Sequence, residues 1–165
     1  MKKTILFSIF VLLLIFSITS PVSAHFMERD RHSVDNGEIR WGTYHGGTQW
    51  TSARNTAINR WDAEGIINIA GDTATTIEDL SFTDYSASDG VLGSWTQYTG
   101  ADKIMFNNTY FNNMSSCQRN HTALHELGHA LNLDHNNVAG SVMRSGRICQ
   151  SVLGEHDKAD LRQRW

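Results

Sequence analysis

The sequence has no basic cluster, no internal repeat and no low-complexity tract. Its net charge is −3, and this mild acidity argues against a nucleic-acid partner, because binding to phosphates needs a basic surface. Beyond residue 18, no apolar run approaches the ~20 residues that a membrane-spanning helix needs. The 165 residues therefore predict one domain that binds neither nucleic acid nor, once a signal peptide is removed, a membrane.

The N-terminal segment has the features of a secretory signal peptide. Lys2 and Lys3 precede an apolar run over 5–18, and small residues close the segment at 21–24. The run is shorter than the ~20 residues of a spanning helix, which disfavours a retained anchor. We expect cleavage after Ala24 and a secreted, extracellular protein, whose net charge changes from −3 to −5 when the two lysines are lost.

Cysteine is scarce, since Cys117 and Cys149 are the only two. In a chain exported to an oxidising compartment, such a pair predicts one disulfide, with two buried free thiols as the alternative. In the chain-entropy model, closing a loop of this size contributes roughly 3–4 kcal/mol.

The rest of the sequence predicts a short lead-in segment followed by one domain. Residues 25–37 are polar and suggest a mobile lead-in or a short pro-segment, and the domain occupies 38–165. Alternating and β-branched stretches predict strands, whereas apolar residues three or four apart predict helices. Strands are expected at 38–44, 66–69, 80–85 and 103–107, and helices at 50–64, 116–132 and 155–165. The result is an α+β fold with one short sheet, expected to be a monomer.

The residues that carry chemistry lie between His121 and His135. His125 and His129 are four apart, so on a helix both rings face one site and can reach a zinc ion at about 2.0–2.1 Å. Glu126 projects beside them and can reach the water on the metal rather than the metal itself.

A third ligand, His135, requires the helix to end. If the helix continued past His129, six further residues would carry His135 about 9 Å along the axis, too far to share the ion. Asn132 tolerates the left-handed conformation that a sharp turn needs. Three imidazoles would then leave one open zinc position for water, as in catalytic rather than structural sites.

The run from His125 to His135, HELGHALNLDH, resembles the metzincin signature H-E-x-x-H-x-x-G-x-x-H, with Asn132 in place of the glycine. Met143, within Ser141–Gly146, resembles the methionine turn that metzincins place beneath the metal, although plain core packing is the alternative. Ser145 stands where astacins and serralysins carry a tyrosine, so the likeness is closest to the matrixin-like branch with a minimal catalytic domain.

This resemblance implies a metzincin-like zincin fold: a short twisted mixed sheet with an edge strand over the zinc, an active-site helix, a methionine turn and a C-terminal helix. For the edge strand that pairs with substrate, the candidate is Ile104, Met105 and Phe106. The implied function is a secreted zinc endopeptidase that hydrolyses protein or peptide substrates with a zinc-bound water and Glu126 as general base. One catalytic zinc is expected. No histidine lies between His45 and His121, so the structural zinc of matrixins is expected to be absent.

The remaining assignments concern residues other than the expected zinc ligands and Glu126. His121 is expected to seat the helix, and the four histidines outside the motif to be solvated, namely His25, His32, His45 and His156. Asn120 and Asp134 are candidates for orienting the zinc ligands. Turn residues Asp84, Asp89, Gly90 and Asp102 suggest a calcium site, against the alternative that they are simply solvated.

Two further function classes stay open at this point. One is a zinc hydrolase of cell-wall peptides, because the motif encodes amide hydrolysis and not the substrate. The other is a non-catalytic, secreted binding module that zinc stabilises, which the intact Glu126 disfavours.

Overall fold

A computed structural model describes residues 24–165, so the predicted signal peptide, except for Ala24, lies outside the described residues. The chain is α+β, as predicted, with five strands and four helices in this range. In order they are β1 Glu38–Gly42, α1 Thr51–Asp62, β2 Asn68–Gly71, β3 Leu80–Tyr85, β4 Gly93–Thr96, β5 Asp102–Asn107, α2 Asn108–Phe111, α3 Ser116–Ala130 and α4 Glu155–Arg164. None of the described helices combines the length and apolarity needed to cross a membrane.

The strands form one mixed sheet in the order β2-β1-β3-β5-β4. Four strands run parallel, and β4 pairs antiparallel with β5. The predicted edge strand is therefore wrong: Ile104, Met105 and Phe106 lie in β5, which pairs with β3 on one side and β4 on the other. The two edge strands of the sheet are β2 and β4, and β4 is the one that pairs with β5. Ile104 and Phe106 are fully buried, as suits an inner strand covered by helices. β4 was not predicted because it is short and has too few apolar residues to show a strand pattern.

The core lies between this sheet and the long helices α1 and α3. On α1, Ala53, Ala57 and Trp61 are buried as their spacing predicts, and Trp50 is half-buried. The indole of Trp61 donates to the Leu124 carbonyl at 3.0 Å, which fixes α1 against α3 without leaving a buried N–H unsatisfied.

Residues 25–37 are packed onto the domain rather than free. Phe26 pairs with Leu133 in an isolated bridge, and Val34 belongs to the core. The segment's polar side chains suggested mobility, but its backbone satisfies partners on the domain: Ser33 N–H donates to the Ala130 carbonyl at 2.8 Å.

The predicted disulfide is confirmed. Cys117 and Cys149, 32 positions apart, are bonded and join the first turn of α3 to the segment before α4. The bond thus holds together the two ends of the region that contains the histidine motif.

Candidate metal centre

Helix α3 carries the motif and is well defined at its start. Ser115 accepts from the Gln118 N–H, and the Gln118 side chain accepts from the Ser115 N–H, which forms a capping box. Apolar residues then bury the helix on several sides, and His125 and Glu126 are themselves 8% and 6% exposed. The side chains of His125 and Glu126 therefore lie in a low-dielectric environment.

The helix ends where the sequence predicts. Asn132 has φ of 71°, in the left-handed region, and Leu133 N–H donates back to the Gly128 carbonyl at 2.9 Å. This is a Schellman ending, which usually takes glycine. Asn132 compensates through its side chain, which donates to the backbone carbonyls of Glu28 and Arg31 at 2.8 Å each.

The turn brings the third histidine back to the first two. The Nε2 atoms of His125 and His135 are 3.0 Å apart, those of His129 and His125 are 3.1 Å apart, and those of His129 and His135 are 3.2 Å apart. Ligands that surround one zinc ion tetrahedrally at 2.0–2.1 Å lie about 3.3 Å from one another. The three nitrogens therefore converge as a set of zinc ligands would.

Two backbone carbonyls orient the rings of His125 and His129. His125 Nδ1 donates to the Val142 carbonyl at 2.9 Å, and His129 Nδ1 donates to the Leu133 carbonyl at 2.9 Å. A carbonyl can only accept, so the proton of each ring lies on Nδ1 and each Nε2 presents a lone pair. The side chains suggested for this role do something else: Asn120 bonds Ser151, and Asp134 accepts from the backbone N–H of His135.

A cation would relieve an otherwise repulsive arrangement of these rings. Burial, helped by the neighbouring imidazoles, lowers the pKa of His125 to about 3, and burial lowers that of His129 to about 4. Both rings are therefore neutral near pH 7, and their lone pairs point at each other with no proton between them. The donor set fits zinc, which accepts neutral imidazole nitrogens.

Glu126 lies beside this centre and against the edge strand. Burial raises the pKa of its carboxyl to about 8, and the backbone N–H of Trp95 partly opposes that shift. A Cβ added at Gly93 would lie 3.0 Å from Thr122 Cγ2 and 3.2 Å from Glu126 Cγ, so glycine at this position lets β4 lie close to the carboxylate without displacing these side chains. The edge strand and the carboxyl share one wall of the site.

Met143 is fully buried and packs against Gly128 of α3. Its sulfur occupies the space over Gly128, where any Cβ would collide with it. The turn that carries it is fixed by a residue that sequence reasoning missed: Asp157 accepts from Val142 N–H at 2.9 Å, and also from the Ser141 hydroxyl. The same carboxylate accepts from Gly154 N–H at 2.8 Å. An acidic residue three positions after Gly154 is typical of a helix start, and this spacing is the sequence pattern that could have identified Asp157.

The three histidines and Glu126 line a cleft of about 460 Å³, a volume in the range of small-ligand and peptide subsites. One wall is Gly90–Trp95, and the floor includes His121, Thr122 and Glu126. Arg144 also lines the cleft and, after burial, is the second cause that lowers the pKa of His121, to about 4. His121 is buried on α3, as expected of a residue that seats the helix, and neither ring nitrogen has a hydrogen-bond partner among the described residues.

The other histidines are not simply solvated. His45 Nε2 contacts the Ala101 carbonyl at 2.9 Å, and His32 packs edge-on against Trp165. His25 and His156 lie together, with ring centroids 5.4 Å apart. All four histidines make contacts with residues far away in the sequence, and for this reason the prediction that they are solvated was wrong.

The turn carboxylates suggested for calcium each accept from protein donors. Asp84 bonds Thr48, Asp89 bonds the Val91 N–H, and Asp102 bonds Ser33. Asp84 lies in β3 and Asp102 begins β5, so of the three only Asp89 lies outside the strands, and calcium stays a prediction.

No protein-family model matches this chain, and no curated protein matches it. Among solved structures, the chain is similar to one in the GM1 bound form of the ECX AB5 holotoxin, with 18% identity and a TM-score of 0.56. The match covers 78% of this chain and 80% of that one. At this identity the likeness shows a shared fold alone, so function has to be argued from the site.

Proposed function

We propose that this protein is a secreted zinc-dependent endopeptidase of the matrixin-like metzincin type. The observation that carries the proposal is the convergence of three imidazole nitrogens within 3.2 Å of one another beside a buried carboxyl group. A purely structural site would add a fourth protein ligand, whereas the described residues around this centre offer three.

His125, His129 and His135 would hold the metal. Bound zinc supplies Lewis-acid chemistry, since it polarises a carbonyl oxygen and lowers the pKa of water. The carbonyls of Val142 and Leu133 keep the rings of His125 and His129 in the tautomer that such binding needs.

Glu126 is the proton carrier. Burial raises the pKa of this carboxyl, which makes it a stronger base, and a zinc ion bound beside it would favour the ionised form that accepts a proton. Its place at the cleft wall lets it accept the proton of an attacking water and then deliver it to the departing amine nitrogen.

The outer edge of β4 suits an extended peptide. β4 pairs with β5 on one side, and no described strand pairs with its other side. A substrate backbone can add there as a further strand, which would carry a scissile bond past Glu126. The substrate strand of this proposal is therefore Gly93–Thr96, in place of the earlier candidate in β5.

The deciding experiment is digestion of a denatured protein substrate by the purified protein, with and without a zinc chelator. We expect cleavage that the chelator abolishes and added zinc restores. Glu126→Ala should keep zinc but reduce kcat by about 10²–10⁴-fold, the usual contribution of a general base, while Glu38→Ala on the distant strand β1 should leave the rate unchanged.

Other outcomes identify the alternatives. Full activity of Glu126→Ala would refute the catalytic assignment. Zinc binding with no cleavage of any substrate would favour the binding module, and cleavage of wall peptides alone would favour the cell-wall hydrolase.

A further inference from the structure

A second group of metal-ligating side chains lies outside the candidate centre. His156 and Asp160 are four apart on α4, so they share a face of the helix. His25 reaches them from the N-terminal segment, whose backbone is fixed because Asp134 N–H donates to the His25 carbonyl at 2.9 Å.

The ligand atoms of this group are close together. His156 Nε2 lies 3.3 Å from His25 Nδ1 and 3.3 Å from Asp160 Oδ2, and the remaining pair is 4.0 Å apart. Two of the three separations match the ~3.3 Å expected around a tetrahedral zinc ion, and the third closes with a small side-chain rotation.

Asp160 is the observation that points to a ligand. It is 1% exposed, and neither oxygen accepts a well-formed hydrogen bond from the described part of the chain, although the His25 N–H and both imidazoles face it. Burying a carboxylate without donors is strongly unfavourable, which is why buried charges are usually paired or bound to a metal. Burial accordingly raises the pKa of this carboxyl.

We propose that His25 Nδ1, His156 Nε2 and Asp160 Oδ2 form a second binding site for a divalent transition metal, with zinc favoured by the two-nitrogen, one-carboxylate ligand set. His25 is partly exposed, so the site opens to solvent on that side. The bound ion would join the N-terminal segment to α4, next to the loop that carries His135. This site is independent of the proposed peptidase activity.

A rival cation exists within the chain. If processing after Ala24 makes His25 the first residue, its α-ammonium group would lie beside Asp160, since the His25 N–H already faces that carboxylate. An ion pair would then neutralise Asp160 without any metal.

Metal content separates these two occupants. The protein, purified in its secreted form, is dialysed against excess zinc and then against metal-free buffer, and zinc is counted per chain. With two groups of ligands, we expect two equivalents for the wild type and one for His156→Gln. His129→Gln should also bind one and the double variant none, while His45→Gln, outside both groups, should keep two.

The result that overturns the proposal is one equivalent in the wild type and in His156→Gln, with none in His129→Gln. That pattern would leave Asp160 to the α-ammonium group. Cobalt substitution gives a second readout that does not depend on folding of an Asp160 variant. Cobalt bound to His129→Gln should produce a visible spectrum that the double variant lacks, and its absence would contradict the site as well.

Discussion

At the scale of single residues, Asn132 shows how one side chain can replace a glycine. The turn needs φ near 71°, which costs most L-residues roughly 1–2 kcal/mol, and the amide side chain offsets this through bonds to two carbonyls and to Arg164. His135 reaches the other histidines only because this turn is held.

Substitution at Asn132 should separate the two contributions. Asn132→Gly keeps the left-handed turn but loses the side-chain bonds, while Asn132→Ala loses both. We expect Ala to lower the free energy of unfolding by about 1–2 kcal/mol more than Gly, measured by urea denaturation. Equal values would show that φ at this position carries no energetic weight.

His121 offers a test of pH dependence. Burial lowers its pKa from 6.5 to about 4, so the unfolded chain binds a proton between these pH values while the folded chain does not. Above pH 6.5 the group therefore does not reduce the free energy of unfolding. As the pH falls from 6.5 toward 4, the free energy of unfolding decreases by up to about 3 kcal/mol, because only the unfolded chain takes up the proton.

The matching variant is His121→Leu, which removes the titrating group and, since both ring nitrogens lack partners, breaks no hydrogen bond. In metal-free buffer it should unfold with a shallower dependence on pH between 6.5 and 4 than the wild type. Parallel curves for the two proteins would refute the assignment.

At the scale of elements, α3 and the methionine turn depend on each other. Gly128 leaves the room that the Met143 sulfur fills, and Asp157 ties the turn to the start of α4. The Val142 carbonyl, which orients His125, belongs to the same turn. Packing at Gly128 should therefore affect the ligand geometry as well as stability.

Gly128→Ala tests this packing. Alanine is a better helix former by about 1 kcal/mol, yet we expect a net loss of about 1–3 kcal/mol because the new Cβ overlaps the Met143 side chain. Thermal unfolding of both single variants and of Gly128→Ala with Met143→Ala measures the coupling. Strictly additive effects would mean that the two side chains do not share this space.

At the scale of the whole molecule, the Cys117–Cys149 bond closes a loop that contains the histidine motif and the methionine turn. Replacing both cysteines by serine should lower the free energy of unfolding by roughly 3–4 kcal/mol, because the unfolded chain regains the entropy of the open loop. Chemical denaturation at fixed zinc concentration measures it, with the wild type in reductant as the control. An unchanged midpoint would show that the loop is already restrained in the unfolded state.

Local patterns in the sequence determined the α+β class, helix α3 with His125 and His129 on one face, the turn at Asn132 and the disulfide pair. Each of these depends on residues close in the chain or on the small number of candidates, so spacing and residue type suffice.

Only the tertiary structure decided which strand is the edge, which carbonyls orient the rings, and that His25 meets Asp160. These contacts join segments far apart in sequence. Strand order and backbone acceptors leave no mark on residue type, since every residue except proline offers the same N–H and every residue the same carbonyl. For this protein, residue spacing identified the candidate ligands, and the fold decided their surroundings.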